Sequence, residues 1–216
     1  MNKSDFDILN ACEFTGRVRE AFNCLGFTGA VSCDILPTEI PGKHYQGDVR
    51  DLLREHWHVI ISHPPCTYLA NSGVRWLYNA DGSRYKERWK KMREGAEFFK
   101  KILDTPATIG KAIENPVMHK YAKKIIGRSH DQTFQPWQFG HPESKRTCLW
   151  LDRLPPLIPS HGKCDFEEIG QSVHRMSPGK DRAKKRSETP WHVAGAMAQD
   201  WGKYILAAAD LKGEAT

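Results

Sequence analysis

Cys66 and Glu114 are the two residues of this sequence whose types and positions best suit covalent chemistry. Cys66 follows two prolines that end the β-branched segment 58–62, and Glu114 lies near the end of the segment 107–116. Both segments predict buried strands, and the carboxyl ends of such strands form the edge where ligands bind. A thiolate there can add to C6 of a pyrimidine. A carboxylic acid can hydrogen-bond to or protonate N3 and contact the 4-amino group.

Acidic side chains follow the predicted strands in order. Glu13 follows the first strand, Asp34 ends the second, and Asp48 lies in a turn before the segment 58–62. A carboxylate after the second strand can accept from both ribose hydroxyls, and an acid near the next strand can accept from an adenine amine. Gly16 allows a tight turn into a helix, but GxGxxG is missing, which argues against a dinucleotide. The series therefore predicts a site for an adenosine-bearing ligand.

The periodicity of apolar residues predicts the elements that position these side chains. The predicted strands are 6–12, 29–36, 58–62, 107–116, 132–140 and 147–151, and the predicted helices are 16–26, 47–56, 85–103, 118–127 and 191–210. Their alternation predicts an α/β fold, with a mostly parallel central sheet and helices on both faces. We divide the chain into a catalytic and cofactor-binding core (1–151), a small irregular basic insertion (152–189) and a C-terminal helix that packs back on the core (190–216).

The composition is typical of a soluble globular protein, with 39% hydrophobic and 27% charged residues. No apolar segment reaches the roughly 20 residues of a membrane helix, and the N-terminus lacks a signal-peptide pattern. We therefore expect a cytoplasmic protein with no membrane partner. The six cysteines form no CxxC pair, and His63, His141 and His174 have no ligand spacing with them. No metal is predicted.

The net charge of +6 favours a polyanionic partner. Lys and Arg concentrate in the segments 84–93 and 175–186, and Tyr85 and Trp89 lie among the six basic residues of the first segment. Basic residues interleaved with aromatic residues suit phosphate contacts and base stacking. They also suit an ordinary solvated helix face.

The motifs, in order along nearly the whole chain, resemble those of the S-adenosylmethionine-dependent cytosine C5 DNA methyltransferases. The nearest resemblance is to short methyltransferase-like proteins of bacteriophage genomes. Pro64-Pro65-Cys66 is similar to the family's catalytic Pro-Cys motif, and Glu114-Asn115-Pro116 to its Glu-Asn-Val motif. Gly47-Asp48-Val49 is similar to its adenine-contacting Gly-Asp motif, and 186–202 resembles its last motif.

This resemblance implies a Rossmann-like methyltransferase fold, S-adenosyl-L-methionine as cofactor and defined roles for single residues. Cys66 would attack C6 of cytosine, Glu114 would activate the ring at N3 and the 4-amine, and Arg146 would hold O2. The residues implied for the cofactor are Phe14, Gly16, Asp34, Asp48 and Pro64. Phe14 is an aromatic displaced from the family's position, which Cys12 occupies here.

The implied partner is DNA, a duplex from which the target cytosine is flipped, in a bacterial host cell. Residues 67–84 resemble the family's mobile catalytic loop. The residues expected to contact nucleic acid are Asn71, Ser72, Arg75, Lys180, Arg182, Lys184, Lys185 and Arg186. The segment 152–189 is much shorter than the family's target-recognition region, so we expect a short sequence context of about two to four base pairs.

Alternatives remain open for the function of the chain and for the role of each candidate residue. The same chemistry could act on a free cytosine nucleotide or on RNA, or the chain could be a catalytically silent nucleic-acid-binding module. Cys66 could be a structural thiol, Asp34 a turn residue, Asp48 a helix N-cap and Arg146 a surface charge. A zinc deaminase is excluded, because Pro-Cys-x-x-Cys is not present.

Overall fold

The computed structural model describes residues 2–213, without the side chains of residues 174, 212 and 213. Within this range, seven strands form one sheet in the order β3-β2-β1-β4-β5-β7-β6. The strands are β1 (Ile8–Ala11), β2 (Ala30–Asp34), β3 (His44–Gln46), β4 (Val59–Ser62), β5 (Gly110–Pro116), β6 (Gln132–Phe134) and β7 (Thr147–Asp152). All are parallel except β7, which runs antiparallel to both β5 and β6. The predicted α/β class and mostly parallel sheet are confirmed.

Helices cover both faces of the sheet, as predicted. They are α1 (Arg17–Cys24), α2 (Val49–Leu52), α3 (Lys86–Asp104), α4 (Lys120–Ile126), α5 (Ser172–Arg175), α6 (Arg182–Ser187) and α7 (Trp191–Gly213). On one face, α1 and α7 share a core with Ile8 and Ile61. On the other face, α2, α3 and α4 pack around Leu9 and Ile60. The central strands are apolar at successive positions because each buries both of its faces.

The elements differ from the sequence predictions at four places. The predicted strand 132–140 stops at Phe134, and a 3-10 helix (Pro136–Phe139) follows, because a proline cannot donate to the sheet ladder. The predicted helix 47–56 is the single turn α2. The segment 67–84, expected as a polar loop, contains a 3-10 helix (Asn71–Leu77) with a buried last residue. The strand β3 was not predicted.

The strand order locates the edge where a ligand site is expected. Apart from the inserted β7, the order is 3-2-1-4-5-6, as in doubly wound sheets, whose ligands bind beyond the carboxyl ends of the strands where the order reverses. Here that point lies between β1 and β4. Among the described residues, no helix is both long and apolar enough to span a membrane.

Candidate active site

Neighbouring strands bring Cys66 and Glu114 to the same edge of the sheet. The last residue of β4, Ser62, pairs with Ile113, so Glu114 lies one position beyond the end of β4. Cys66 follows four residues after Ser62 and is partly buried. Burial, and then the negative charge of Glu114, raise the pKa of the Cys66 thiol. The carboxylate therefore lies near enough for its charge to act on the thiol, and the catalytic pairing of the two stays a prediction.

His63 is a partner of Glu114 that the sequence analysis missed. Its Nδ1 lies 3.3 Å from Oε2 of Glu114, and the two side chains are only 4% and 14% exposed. Burial alone would raise the pKa of Glu114, but the hydrogen bond with His63, together with the positive charge of Lys145, brings it below its ordinary value. Glu114 is therefore ionised at neutral pH. The sequence feature that could have indicated His63 as a site residue is its position directly before Pro-Pro-Cys.

Asn115 connects the two motifs through a buried hydrogen bond. Its Nδ2 donates to the Pro64 carbonyl at 2.8 Å. Cys66 itself starts a tight turn, because its carbonyl accepts from the amides of Leu69 and Ala70. The loop that carries the thiol is thus fixed on both sides. Two buried atoms beside it, Oδ1 of Asn115 and Nε2 of His63, have no partner among the described residues.

The antiparallel direction of β7 brings basic residues to this same edge. Thr147, the first residue of β7, pairs with Pro116, so the residues just before β7 lie near the carboxyl end of β5. Lys145 and Arg186 both lower the pKa of Cys66, against the larger effect of burial. Arg146 is exposed, and its charge acts on the buried Cys148. Of the neighbours Lys145 and Arg146, it is therefore Lys145 whose charge acts on the thiol. Only Arg146 was selected from the sequence.

Asp34 ends β2 as predicted and is partly buried. Its Oδ1 accepts from the Leu36 amide at 2.9 Å, and burial raises the pKa of its carboxyl group. The next residue, Ile35, is 75% exposed. An apolar side chain left in solvent beside a carboxylate could cover the face of an adenine, and sequence reasoning did not select it.

Asp48 caps α2, which is the structural role considered from the sequence. One of its oxygens accepts from the Arg50 amide at 2.9 Å, and its carboxylate also binds the Arg50 guanidinium. These hydrogen bonds lower the pKa of Asp48 to about 2. The carboxylate therefore already has protein partners at the position where the sequence predicted an adenine contact.

Gly16 begins α1 in the left-handed region, with φ 75°. A Cβ atom at this position would lie 2.8 Å from the Arg19 guanidinium and 3.0 Å from both Thr38 and Ile40. The glycine is therefore required for the loop after β2 to pack against α1. Its amide also donates to the buried carboxylate of Glu13 at 3.1 Å, which closes the turn after β1.

Phe14 is buried beneath a segment that we call the strap, residues 172–190. The Lys184 ammonium lies 4.9 Å from the centre of its ring. Lys184 also pairs with Glu39 at 2.9 Å, and Arg17 of α1 pairs with Glu188 at 3.1 Å. Part of the predicted insertion 152–189 therefore folds over the turn after β1.

The basic residues expected to contact nucleic acid fall into two groups. Arg182 and Arg186 donate to backbone carbonyls within the strap, and Lys184 is held by its ion pair. Lys180 and Lys185 are exposed, and no side-chain partner for them lies among the described residues. Lys180 and Lys185 are free for phosphates without rearrangement, and Arg186, which uses one guanidinium N–H for its carbonyl, keeps others available.

A second basic surface includes the 3-10 helix that follows Cys66 and the segment 84–93. Asn71, Ser72 and Arg75 are exposed there, and the Arg75 guanidinium stacks 4.4 Å from the ring centre of the half-exposed Trp76. The six Lys and Arg residues of 84–93 form no ion pair with any described residue. Unneutralised charge beside the exposed rings of Trp76 and Tyr85 is typical of a surface that meets phosphates and bases, whereas Trp89, which the sequence suggested as a stacking ring, is buried in the core.

Asp7, His56 and His58 form a group with metal-ligand chemistry at the opposite, amino-terminal edge of the sheet. One ligand atom from each lies within 4.8 Å of the others. Nδ1 of His58 already accepts from the Asp7 amide at 3.0 Å, and Nε2 of His56 is 2.7 Å from the Thr108 hydroxyl. The sequence analysis did not consider this group, and the expectation of no metal stays a prediction.

Comparison with models of known protein families gave no match, and comparison with curated proteins gave no significant match. The site geometry and the motif resemblance are therefore the observations from which a function can be argued.

Proposed function

We propose that this chain is an S-adenosyl-L-methionine-dependent methyltransferase that modifies C5 of cytosine in DNA. The observation that carries the proposal is the buried connection between the two motifs. His63 holds Glu114, and Asn115 holds the backbone before Cys66, at the carboxyl edge where β4 and β5 meet. A structural thiol would not need an ionised, histidine-bonded carboxylate beside it.

In the proposed reaction, the Cys66 thiolate forms a bond to C6 of cytosine, and C5 gains the electron pair of the former double bond. Glu114 accepts a hydrogen bond from the 4-amine and, once protonated, donates to N3, which spreads the charge of the adduct. After the substitution at C5, solvent takes the C5 proton, the electron pair of that C–H bond re-forms the C5–C6 double bond, and the Cys66 thiolate leaves, which restores the ring. Burial and the charge of Glu114 raise the pKa of Cys66, and Lys145 and Arg186 oppose that rise, so they stabilise the thiolate once its proton has passed to solvent.

His63 is proposed as the residue that positions Glu114. Its Nδ1 faces the carboxylate at 3.3 Å, and its buried Nε2 has no partner among the described residues. A proton taken up from solvent gives Glu114 the acid form that N3 requires, while His63 holds the carboxyl group in place. Arg146 stays the candidate for cytosine O2, and Lys145 is the competing candidate.

The cofactor would lie beyond the carboxyl ends of β1 and β2. Asp34 keeps one carboxylate oxygen for the ribose, Ile35 offers an exposed apolar surface to the adenine, and Pro64 lies at the switch point. Asp48 and Phe14 would contact the cofactor once the exposed side chains of Arg50 and Lys184 move away from them. When bound, the cofactor supplies an electrophilic methyl group on its sulfonium.

DNA is favoured as the substrate by the basic surface 84–93 and by the exposed Arg75 and Trp76 within the segment 67–84. We include in the proposal the Rossmann-like methyltransferase fold and a short recognition context. The strand order, with its reversal between β1 and β4, supports the fold assignment.

A free cytosine nucleotide is the second candidate substrate. The observation that favours it is the strap, which folds over the turn after β1 and brings Arg186 close enough to lower the pKa of Cys66. We expect a site covered in this way to suit a small substrate.

Radioactive methyl transfer to duplex DNA, single strands, RNA and free nucleotides, run side by side, tests the proposal. We expect transfer to duplex DNA that falls steeply with salt. Bisulfite sequencing of a methylated plasmid should then show a short context, and a long strict site would contradict that part. Transfer only to nucleotides or RNA would identify the rival substrate. Binding without any transfer would indicate a silent binding module.

A further inference from the structure

A cavity of about 500 Å³ lies between the strap, the residues before β7 and the first turns of α1 and α7. Its volume falls in the roughly 300–1,000 Å³ range of small-molecule sites. The ionisable residues that determine its charge include Arg17, His141, Lys145, Lys185, Arg186 and His192.

The positive charge of this cavity is not balanced by its acids. Four Lys and Arg side chains line it against two carboxylates: Glu188 is paired with Arg17, and Glu143, which accepts from the Ser172 hydroxyl at 2.9 Å, keeps its negative charge. Lys145, Lys185 and Arg186 have no carboxylate within ion-pair distance among the described residues. Arg186 donates to one backbone carbonyl, which leaves other guanidinium N–H groups available.

Two stacked histidines line the cavity together with these cations. The rings of His141 and His192 lie 5.8 Å apart at 28°. Burial, and then the proximity of His192, lower the pKa of His141, although Glu143 opposes this. Burial and the neighbouring positive charges therefore disfavour protonation of His141. A bound anion would reduce the repulsion among the cationic side chains of the cavity.

Two of the cavity's cations also act on the proposed nucleophile. Lys145 and Arg186 line the cavity and lower the pKa of Cys66. An anion held between them would therefore lie on the same side of the site as the thiol. Proteins commonly bind a phosphate group with guanidinium and ammonium groups of neighbouring Arg and Lys side chains.

We propose that this cavity binds a phosphate group, namely the phosphate joined to the nucleoside of the target cytosine. The assignment to the target nucleotide rests on the proposed function, whereas the phosphate site itself does not. The phosphate could belong to a DNA backbone or to a free nucleotide, and the two share the chemistry that the cavity recognises.

The first test measures binding of inorganic phosphate and of 2′-deoxycytidine 5′-monophosphate by calorimetry, with 2′-deoxycytidine as the neutral comparison. Lys185→Ala and Lys145→Ala should each weaken binding of both phosphates, roughly tenfold. Lys203→Ala removes the same charge from an exposed position of α7 outside the cavity, and should leave the affinity unchanged. Equal losses in all three variants, or none in the two cavity variants, would overturn the phosphate site.

The second test uses a duplex in which one methylphosphonate replaces the phosphate beside the target cytosine. Neutralising the contacted phosphate should slow methyl transfer by the wild type and slow the Lys185→Ala enzyme much less, because that contact is already lost. Equal slowing in both enzymes would overturn the assignment of this phosphate to the cavity. If phosphate binds in a Lys185-dependent way but no substrate is methylated, the proposed function fails while the phosphate site stands.

Discussion

The proposed acceptor half of the site and the proposed cofactor half differ in how their side chains are held. In the acceptor half, His63 bonds to Glu114, Asn115 bonds to the Pro64 carbonyl, and Nε2 of His63 and Oδ1 of Asn115 have no partner within residues 2–213. In the cofactor half, Asp48 is bound by Arg50, and the Phe14 ring lies beneath Lys184. The sheet therefore holds the first half in place, whereas exposed long side chains occupy the second, where the proposed cofactor would have to displace them.

The largest effect should come from removing the nucleophile of the proposed acceptor half. Cys66→Ala is expected to lower methyl transfer roughly 10⁴-fold or more, the scale of losing a covalent nucleophile. Cofactor affinity should stay within about twofold, because the thiol acts on cytosine. Cys24→Ala, at an exposed position, is the matched control and should keep full activity. Wild-type rates in the Cys66 variant would eliminate the covalent mechanism.

Asn115→Ala tests whether the acceptor half is held by its buried hydrogen bond. Loss of the donor to the Pro64 carbonyl should lower the free energy of unfolding by about 1–3 kcal/mol, because a buried acceptor is left unpaired. Asn79→Ala removes an equally short bond, 2.8 Å to Ser83, from an exposed turn and should cost less than about 0.5 kcal/mol. Urea unfolding measures both, and similar losses would remove the claimed difference between buried and exposed bonds.

Asp34→Ala and Asp48→Ala separate the contributions of the two carboxylates that we propose bind the cofactor. Asp34→Ala should weaken S-adenosylmethionine binding roughly tenfold to hundredfold, as expected for a lost hydrogen bond to a ligand. Asp48→Ala should weaken it less, because Arg50 already competes for that carboxylate. Calorimetry decides the order. Unchanged affinity in both variants would remove the adenosine site from this edge.

The smallest effect concerns the charge around the thiol. Glu114→Gln removes the negative charge that, after burial, raises the pKa of Cys66, so this pKa should fall. The thiolate fraction at neutral pH then rises, and alkylation by iodoacetamide should become severalfold faster. Lys145→Ala should have the opposite effect, since that charge lowers the pKa. An exposed control, Glu55→Gln, should leave the rate as it is. A slower reaction in Glu114→Gln would contradict the electrostatic coupling.

The strongest parts of the sequence analysis were those that depend on local pattern. The buried strand before Cys66, the strand that carries Glu114 and the long helices α3 and α7 were all predicted, because each strand is a short run of mostly buried residues ended by proline and each helix is a long segment with recurring apolar positions. The elements that were not predicted from the sequence are short. Neither β3 nor the 3-10 helix after Cys66 has enough residues to show a period.

The sequence by itself determined the α/β class and the positions of Cys66, Glu114 and Asp34 near strand ends, because strand period and proline position are local properties. Only the tertiary structure decided which side chains meet. The His63–Glu114 pair spans two strands, and Lys145 acts on the thiol because β7 runs antiparallel. The strap covers Phe14 although 170 positions separate Lys184 from it. Contacts of this kind depend on strand direction and on long-range packing, which no local pattern of residues encodes.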